Sequence, residues 1–283
     1  MSEETVDTRL TSAPVRDASA GKRTRDVSVW KRNENALLGT MAVAVFLAIW
    51  EGSVAFGLVN PLFTSSPSRI VRTGFEMFAD GSILYDLQVS GTEFAIGYGL
   101  AIVIGVPLGI LMGWYSRVNA VLEPFVNALY ATPRIALLPL VMIWFGIGMA
   151  SKVAIIFLGA IFPILVNTIT GVRTLNADFI KVARSFGSND RQIFLTVALP
   201  SSVPLLLTGL RLGLGHALVG IVVGEMYGAT RGLGFIIAVA GSRFQTDKVM
   251  VGIILIAALG VAMTEILRRI ERRFERWRPI EHG

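Results

Sequence analysis

The chain has 283 residues, of which 53% are hydrophobic and only 16% charged, with a mean hydropathy of +0.63 and a formal net charge of +6. A soluble domain carries about 25% charge, so a water-facing fold is excluded, and so is a largely disordered chain. The absence of cysteine removes disulfides, thiolate metal sites and Cys nucleophiles, and two histidines, His216 and His282, are too few for a multi-histidine metal centre.

Residues 1–35 are rich in Ser, Thr, Asp, Arg and Ala and lack an apolar stripe, so they read as a disordered tail. Apolar blocks then predict six spans, at about 36–57, 93–115, 122–149, 152–172, 196–224 and 248–267. A crossing helix needs roughly 20 such residues. The blocks do not alternate in character, which excludes a closed β-barrel. The first span follows a long polar segment and has no clear cleavage site, so it reads as a retained anchor rather than a signal peptide. The fold class is therefore all-α, a polytopic membrane protein with about six helices.

With the N-terminus inside, the inner segments carry 18 Lys and Arg and the outer ones 6. This bias places both termini in the cytoplasm. Basic clusters beside anionic lipid account for the net charge, with no nucleic-acid partner required. Residues 268–283 form a basic cytoplasmic tail. Its start continues an amphipathic pattern of Ile266, Ile270, Phe274 and Trp277, suited to the membrane interface or to contact with a cytoplasmic partner. Outside, Ile70, Val71, Phe75 and Phe78 suggest a short amphipathic helix within residues 60–91. No outer segment is long enough to capture a solute by itself.

In the second span Gly97, Ala101, Gly105, Gly109 and Gly113 recur every fourth residue, the spacing that lets helices approach closely in lipid. Packing within the chain and a sliding or dimer surface are the two readings. The fifth span has a similar run at Gly209, Gly213, Ala217, Gly220, Gly224 and Gly228. In the third, Pro124, Pro133 and Pro139 disfavour a straight helix. Broken backbone at membrane depth needs protein or a watery cavity beside it, so this span is a candidate pathway wall, with a packing kink as the alternative. Charges within spans are costly and mark function by default. Arg134 can attract an anion or pair with Glu225; Arg211 can do the same or snorkel. Arg134, Pro133, Arg211 and Glu225 are thus the candidate pathway residues. His216 reads as a packed histidine, and Glu51 is assigned no role.

The inner segment 173–199 places Phe179, Val182, Ala183 and Phe186 on one face of a short helix, at about 176–189. Asn176 or Asp178 can cap its start, Gly187 can end it in the left-handed conformation, and Asn189 with Gln192 resembles a capping box for the next helix. This is either a helix on the lipid surface or a knob that docks into a soluble partner. No phosphate loop ending in Gly-Lys-Ser/Thr, no His-Glu-x-x-His and no Gly-x-Ser-x-Gly is present, so the chain is not itself an enzyme.

The stretch "KVARSFGSNDRQIFLTVALP" resembles the cytoplasmic signature of ABC-transporter permeases, with Gly187 four residues after Ala183 and Pro200 thirteen beyond it. It departs from that pattern in having Lys181 where Glu is usual and Val182 for Ala. The segments "PLGILMGWYSRVNAVLEPFVNALYATPRIALLPLVMIWFGIG" and "LTGLRLGLGHALVGIVVGEMYGATRGLGFII" are similar to permeases of the nitrate, sulfonate and taurine importer class, over roughly residues 60–278. The resemblance implies a type I ABC importer permease in a prokaryotic plasma membrane. It implies a second permease copy, two ATP-binding subunits that carry the ATP and magnesium, an extracytoplasmic substrate-binding protein and a small, mostly anionic solute. It implies that Phe179, Val182, Ala183, Phe186, Gly187 and Pro200 couple the chain to the ATPase, and that the Glu225-Met226 pair is a gate or a structural pin. The rival functions are a stand-alone secondary carrier, which usually shows internal repeats, and a membrane scaffold.

Overall fold

Lipid offers no partner for backbone N–H and C=O groups, so a spanning chain must satisfy them internally. The computed structural model describes residues 29–175 and 177–274, and every regular element among them is helical. The expectations for residues 1–28, for a cap at Asn176, and for Trp277 and His282 lie outside the described residues. In chain order the helices are α1 (Val29–Ala55), α2 (Pro61–Thr64), α3 (Pro67–Ala79), α4 (Ser82–Trp114), α5 (Ser116–Ala131) and α6 (Leu138–Phe145). They continue with α7 (Met149–Arg173), α8 (Ala177–Ser185), α9 (Asp190–Ile193), α10 (Leu199–Gly228), α11 (Leu233–Ser242) and α12 (Thr246–Phe274). The chain divides into two units at Ile49/Trp50: the first holds most of α1, and the second holds all that follows.

Among the described residues five helical stretches are long and apolar enough to span, and α5 with α6 makes a sixth if that bent pair counts as one crossing. Several bounds differ from the sequence expectation. The second span begins at Ser82 rather than near 93, because Asp86 and Glu93 lie inside the helix, 5% and 1% exposed, where a charge-free criterion had cut it short. The third is two helices meeting at 91°. The fifth runs unbroken from Asp190 through a π turn at Phe194–Ala198. Pro200, which has no N–H to offer the carbonyl four residues back, stands two residues after the end of that turn. The apolar helix α11 stands where an outer loop was expected.

The second unit is built around α7, with α4 and α10 packed along it and α12 against α10, α11 and α3. The small-residue stripe of α4 faces α7. A Cβ on Gly97 would lie 2.7 Å from Ile156 Cβ, one on Gly109 2.7 Å from Thr168 Cβ, and one on Gly113 2.6 Å from Val172 Cβ. The stripe of α10 does the same: Gly213 meets Ile164, and Gly220 meets the backbone of Ile156. The α4 stripe therefore serves packing within the chain, the first of the two readings. The core it closes includes Phe94, Ile156, Ile164, Leu214 and Ile221. Glu51, given no role from sequence, caps α3, accepting from the Ser68 N–H at 3.0 Å and the Ser68 hydroxyl at 2.7 Å.

Candidate functional site

Three places carry the chemistry. The first is the elbow from α8 to α10. Gly187 has φ +78, and the Gly187 and Ser188 N–H groups return to the carbonyls of Arg184 and Ala183, at 2.9 and 3.1 Å. This is a Schellman closure, which stops α8 sharply. Two residues later Asn189 Oδ1 accepts from Gln192 N while Gln192 Oε1 accepts from Asn189 N, both at 2.9 Å, the reciprocal pair expected from sequence. The turn is thus fixed on both sides. Trp114, at the end of α4, packs edge-on against Phe194 with centroids 5.1 Å apart and ties the elbow's root to the bundle. The face of α8 is uncovered: Phe179, Val182 and Phe186 are 56%, 54% and 85% exposed, and Ala183 is half-buried between them.

The second place is the break between α5 and α6. Thr132 and Pro133 are extended, and Arg134 opens a short 3-10 turn, Arg134–Leu137. Arg134 does not reach Glu225. Its guanidinium lies 5.5 Å from the Tyr130 ring centroid and 5.9 Å from that of Phe162, and it donates to Gly159 O at 3.4 Å. The reason is local. Gly159 O is the carbonyl that the N–H of residue 163 would normally satisfy in α7, and residue 163 is a proline. Arg134 supplies the missing donor. Beside it is a cavity of ≈390 Å³. Arg211 does not line it; it pairs with Glu271 and so joins α10 to α12. His216 does line it, with Nδ1 donating to Leu212 O at 2.9 Å within its own helix.

The third place is a buried polar cluster at the end of the bundle opposite α8. Helix α11 begins in the protein interior, so its first N–H groups need partners. Gly232 N donates to Asp86 Oδ1 at 2.8 Å, Leu233 N to Ser90 Oγ at 2.9 Å and Gly234 N to Glu225 Oε2 at 2.6 Å. The Ser90 hydroxyl in turn donates to Glu225 Oε1 at 2.5 Å. Next to them Lys152 Nζ donates to Glu93 Oε1 at 2.9 Å, with side chains 7% and 1% exposed. Glu225 thus accepts from both Ser90 and the start of α11. Sequence reasoning missed Asp86, Ser90, Glu93 and Lys152. The signal was present: residues 86, 90 and 93 continue the face of Gly97, Ala101 and Gly105 toward the helix start. No cluster of metal-ligating side chains occurs among the described residues.

The profile of the binding-protein-dependent transport system inner membrane component family matches residues 105–276. The chain belongs to this family. It is 36% identical over 245 residues to SsuC of Bacillus subtilis (strain 168), named as an aliphatic sulfonates transport permease protein, covering 87% of this chain and 89% of that one. It is 34% identical over 253 residues to the taurine transport system permease protein TauC of Escherichia coli (strain K12), covering 88% and 92%. Among solved structures, the inward-facing MetNI methionine ABC transporter aligns with a TM-score of 0.58 at 20% identity, over 68% of this chain and 95% of that one, a likeness of fold. The chain is thus an ABC-type permease and a multi-pass inner-membrane protein, not a stand-alone carrier, and the permease subunit of such a system is non-catalytic.

Proposed function

We propose that two copies of this permease form the pathway of an ATP-driven importer for a small organic anion, delivered by an extracytoplasmic binding protein. Both termini and α8 face the cytoplasm. There the apolar face of Phe179, Val182, Ala183 and Phe186 seats in a groove of an ATP-binding subunit, which holds the ATP and magnesium. Gly187 and the π turn before Pro200 fix the angle at which a movement of α8 reaches α10. The observation that carries this reading is three large apolar side chains left in the open on a nine-residue helix whose exit is locked by a Schellman closure and a capping box. Apolar side chains grouped in the open on one helix face mark a surface that a partner covers. The broken helix pair with Pro133 and Arg134 forms part of the pathway wall, while Arg211 and Glu225 hold helices together. The relatives named for sulfonate and taurine transport support an anionic solute.

The test is uptake in proteoliposomes that hold the permease, its ATP-binding subunit and its binding protein, with labelled taurine and butane-1-sulfonate as probes. Uptake that requires ATP is expected. Uptake driven by a sodium or proton gradient with no ATP-binding subunit present would refute the reading.

A further inference from the structure

The cavity at the helix break has a composition that says what it holds. Gly159, whose carbonyl Arg134 reaches, stands ten residues into the 25-residue α7. At 1.5 Å per residue that is about 15 Å along the helix, near the middle of a hydrocarbon core about 30 Å thick. A cation at that depth needs a counter-charge. Lys152 has Glu93 and Arg211 has Glu271, but Arg134 has no carboxylate partner among the described residues. Two aromatic faces and one carbonyl use part of the guanidinium; a group with five N–H donors keeps several unused. A neutral donor would have served the carbonyl equally, so the charge itself needs another explanation.

Most of the rest of the lining is apolar, and two of its polar groups are already held within their own helices; the Tyr130 hydroxyl and His216 Nε2 are further neutral groups there. Ile155, Val219 and Val223 form walls, Thr132 Oγ1 donates to Ala128 O at 2.9 Å, and His216 Nδ1 is held by Leu212 O. Among the described residues no acidic side chain lines the space. Lipid headgroups lie far from this depth, so a phospholipid phosphate is a poor occupant.

We propose that this cavity is a transmembrane subsite for an organic monoanion. Its oxyanion head group is taken by the Arg134 guanidinium and its short carbon tail lies along Ile155, Val219 and Val223. One guanidinium matches one negative charge, and a planar fork of donors suits two oxygens of a sulfonate or carboxylate. The apolar walls disfavour a strongly hydrated dianion such as inorganic sulfate. This inference rests on the pathway reading above and adds a selective site within the permease itself, separate from the one on the binding protein.

The experiment is equilibrium binding of labelled butane-1-sulfonate to the permease–ATPase complex in lipid nanodiscs, with the binding protein omitted. Saturable binding is expected, competed by butyrate but not by butane-1-sulfonamide or inorganic sulfate. Arg134→Gln should weaken it at least tenfold, Arg134→Lys less than Arg134→Gln, and Val219→Trp should weaken it by filling the space without touching the charge. Co-elution of each variant with the ATP-binding subunit shows that it is folded. Absence of saturable binding in the wild type, or equal affinity in Arg134→Gln, would overturn the proposal. Failure of the wild-type permease to associate with an ATP-binding subunit would instead strike the proposed function, and the binding assay would still be readable on the permease alone.

Discussion

Helix α11 is held at its buried start by three side chains from other helices, and removing one of them has a calculable effect. Glu225→Ala deletes the acceptor for the Ser90 hydroxyl at 2.5 Å and for Gly234 N–H at 2.6 Å. A hydrogen bond to a charged group contributes roughly 1.5–3 kcal/mol, and a buried N–H left without a partner costs about 1–3 kcal/mol. The two losses share one site and do not simply add, so about 3–5 kcal/mol is expected for the docking of α11. Because the chain has no cysteine, a single Leu233→Cys reports on this directly: Leu233 is 1% exposed and labels only when α11 lifts. At about 1.4 kcal/mol per factor of ten, adding Glu225→Ala should raise the maleimide labelling rate by between about 10² and 10⁴. A change of less than threefold, in protein that still elutes as folded, would refute the pinning role.

Lys152→Met leaves the Glu93 carboxylate buried without its cation, and a loss of about 3–5 kcal/mol is expected in denaturant titrations in detergent. The double variant Lys152→Met/Glu93→Leu should recover most of it; if it is no better than the single variant, the pair is not the relevant interaction. Gly109→Val would place side-chain carbon within 3 Å of Thr168 and should separate α4 from α7 and lower the melting temperature, whereas Gly99→Ala, which meets nothing within 4 Å inside the same helix, should cost nothing and can raise stability by up to about 1 kcal/mol. Gly187→Val has open space for its side chain but must adopt φ +78, a backbone cost of about 1–2 kcal/mol. The expected phenotype is ATP hydrolysis retained with uptake diminished; normal uptake would mean that the angle of the elbow does not matter.

What the sequence revealed and concealed has a common physical cause. Periodicity exposed whatever depends on one helix face. The apolar side of α8, the glycine run of α4 and the capping pair Asn189–Gln192 each rest on residues close in sequence, so spacing alone reveals them. Charge counting failed where charges are neutralised across helices. Asp86, Glu93 and Lys152 ended the predicted spans early because their partners lie on other helices and only folding brings them together. Arg211 looked like a lone cation for the same reason, its partner Glu271 being 60 residues away. The break at Pro133 was legible from proline chemistry. The service Arg134 performs for Gly159 was not, because it depends on Pro163, 29 residues further on, having freed that carbonyl. Helix α11 escaped notice because ten apolar residues after a glycine-rich turn are too short to register as a crossing.

The central claim, that the uncovered face of α8 seats on the ATP-binding subunit and transmits its movement, is tested most directly by disulfide crosslinking. Phe186→Cys, in a chain with no other cysteine, would be oxidised against single cysteines placed around the groove of the ATP-binding subunit, with and without nucleotide. A crosslink to that subunit whose yield changes between ATP-bound and nucleotide-free states is expected. Protection of the same cysteine by lipid, with no crosslink in any nucleotide state, would contradict the account.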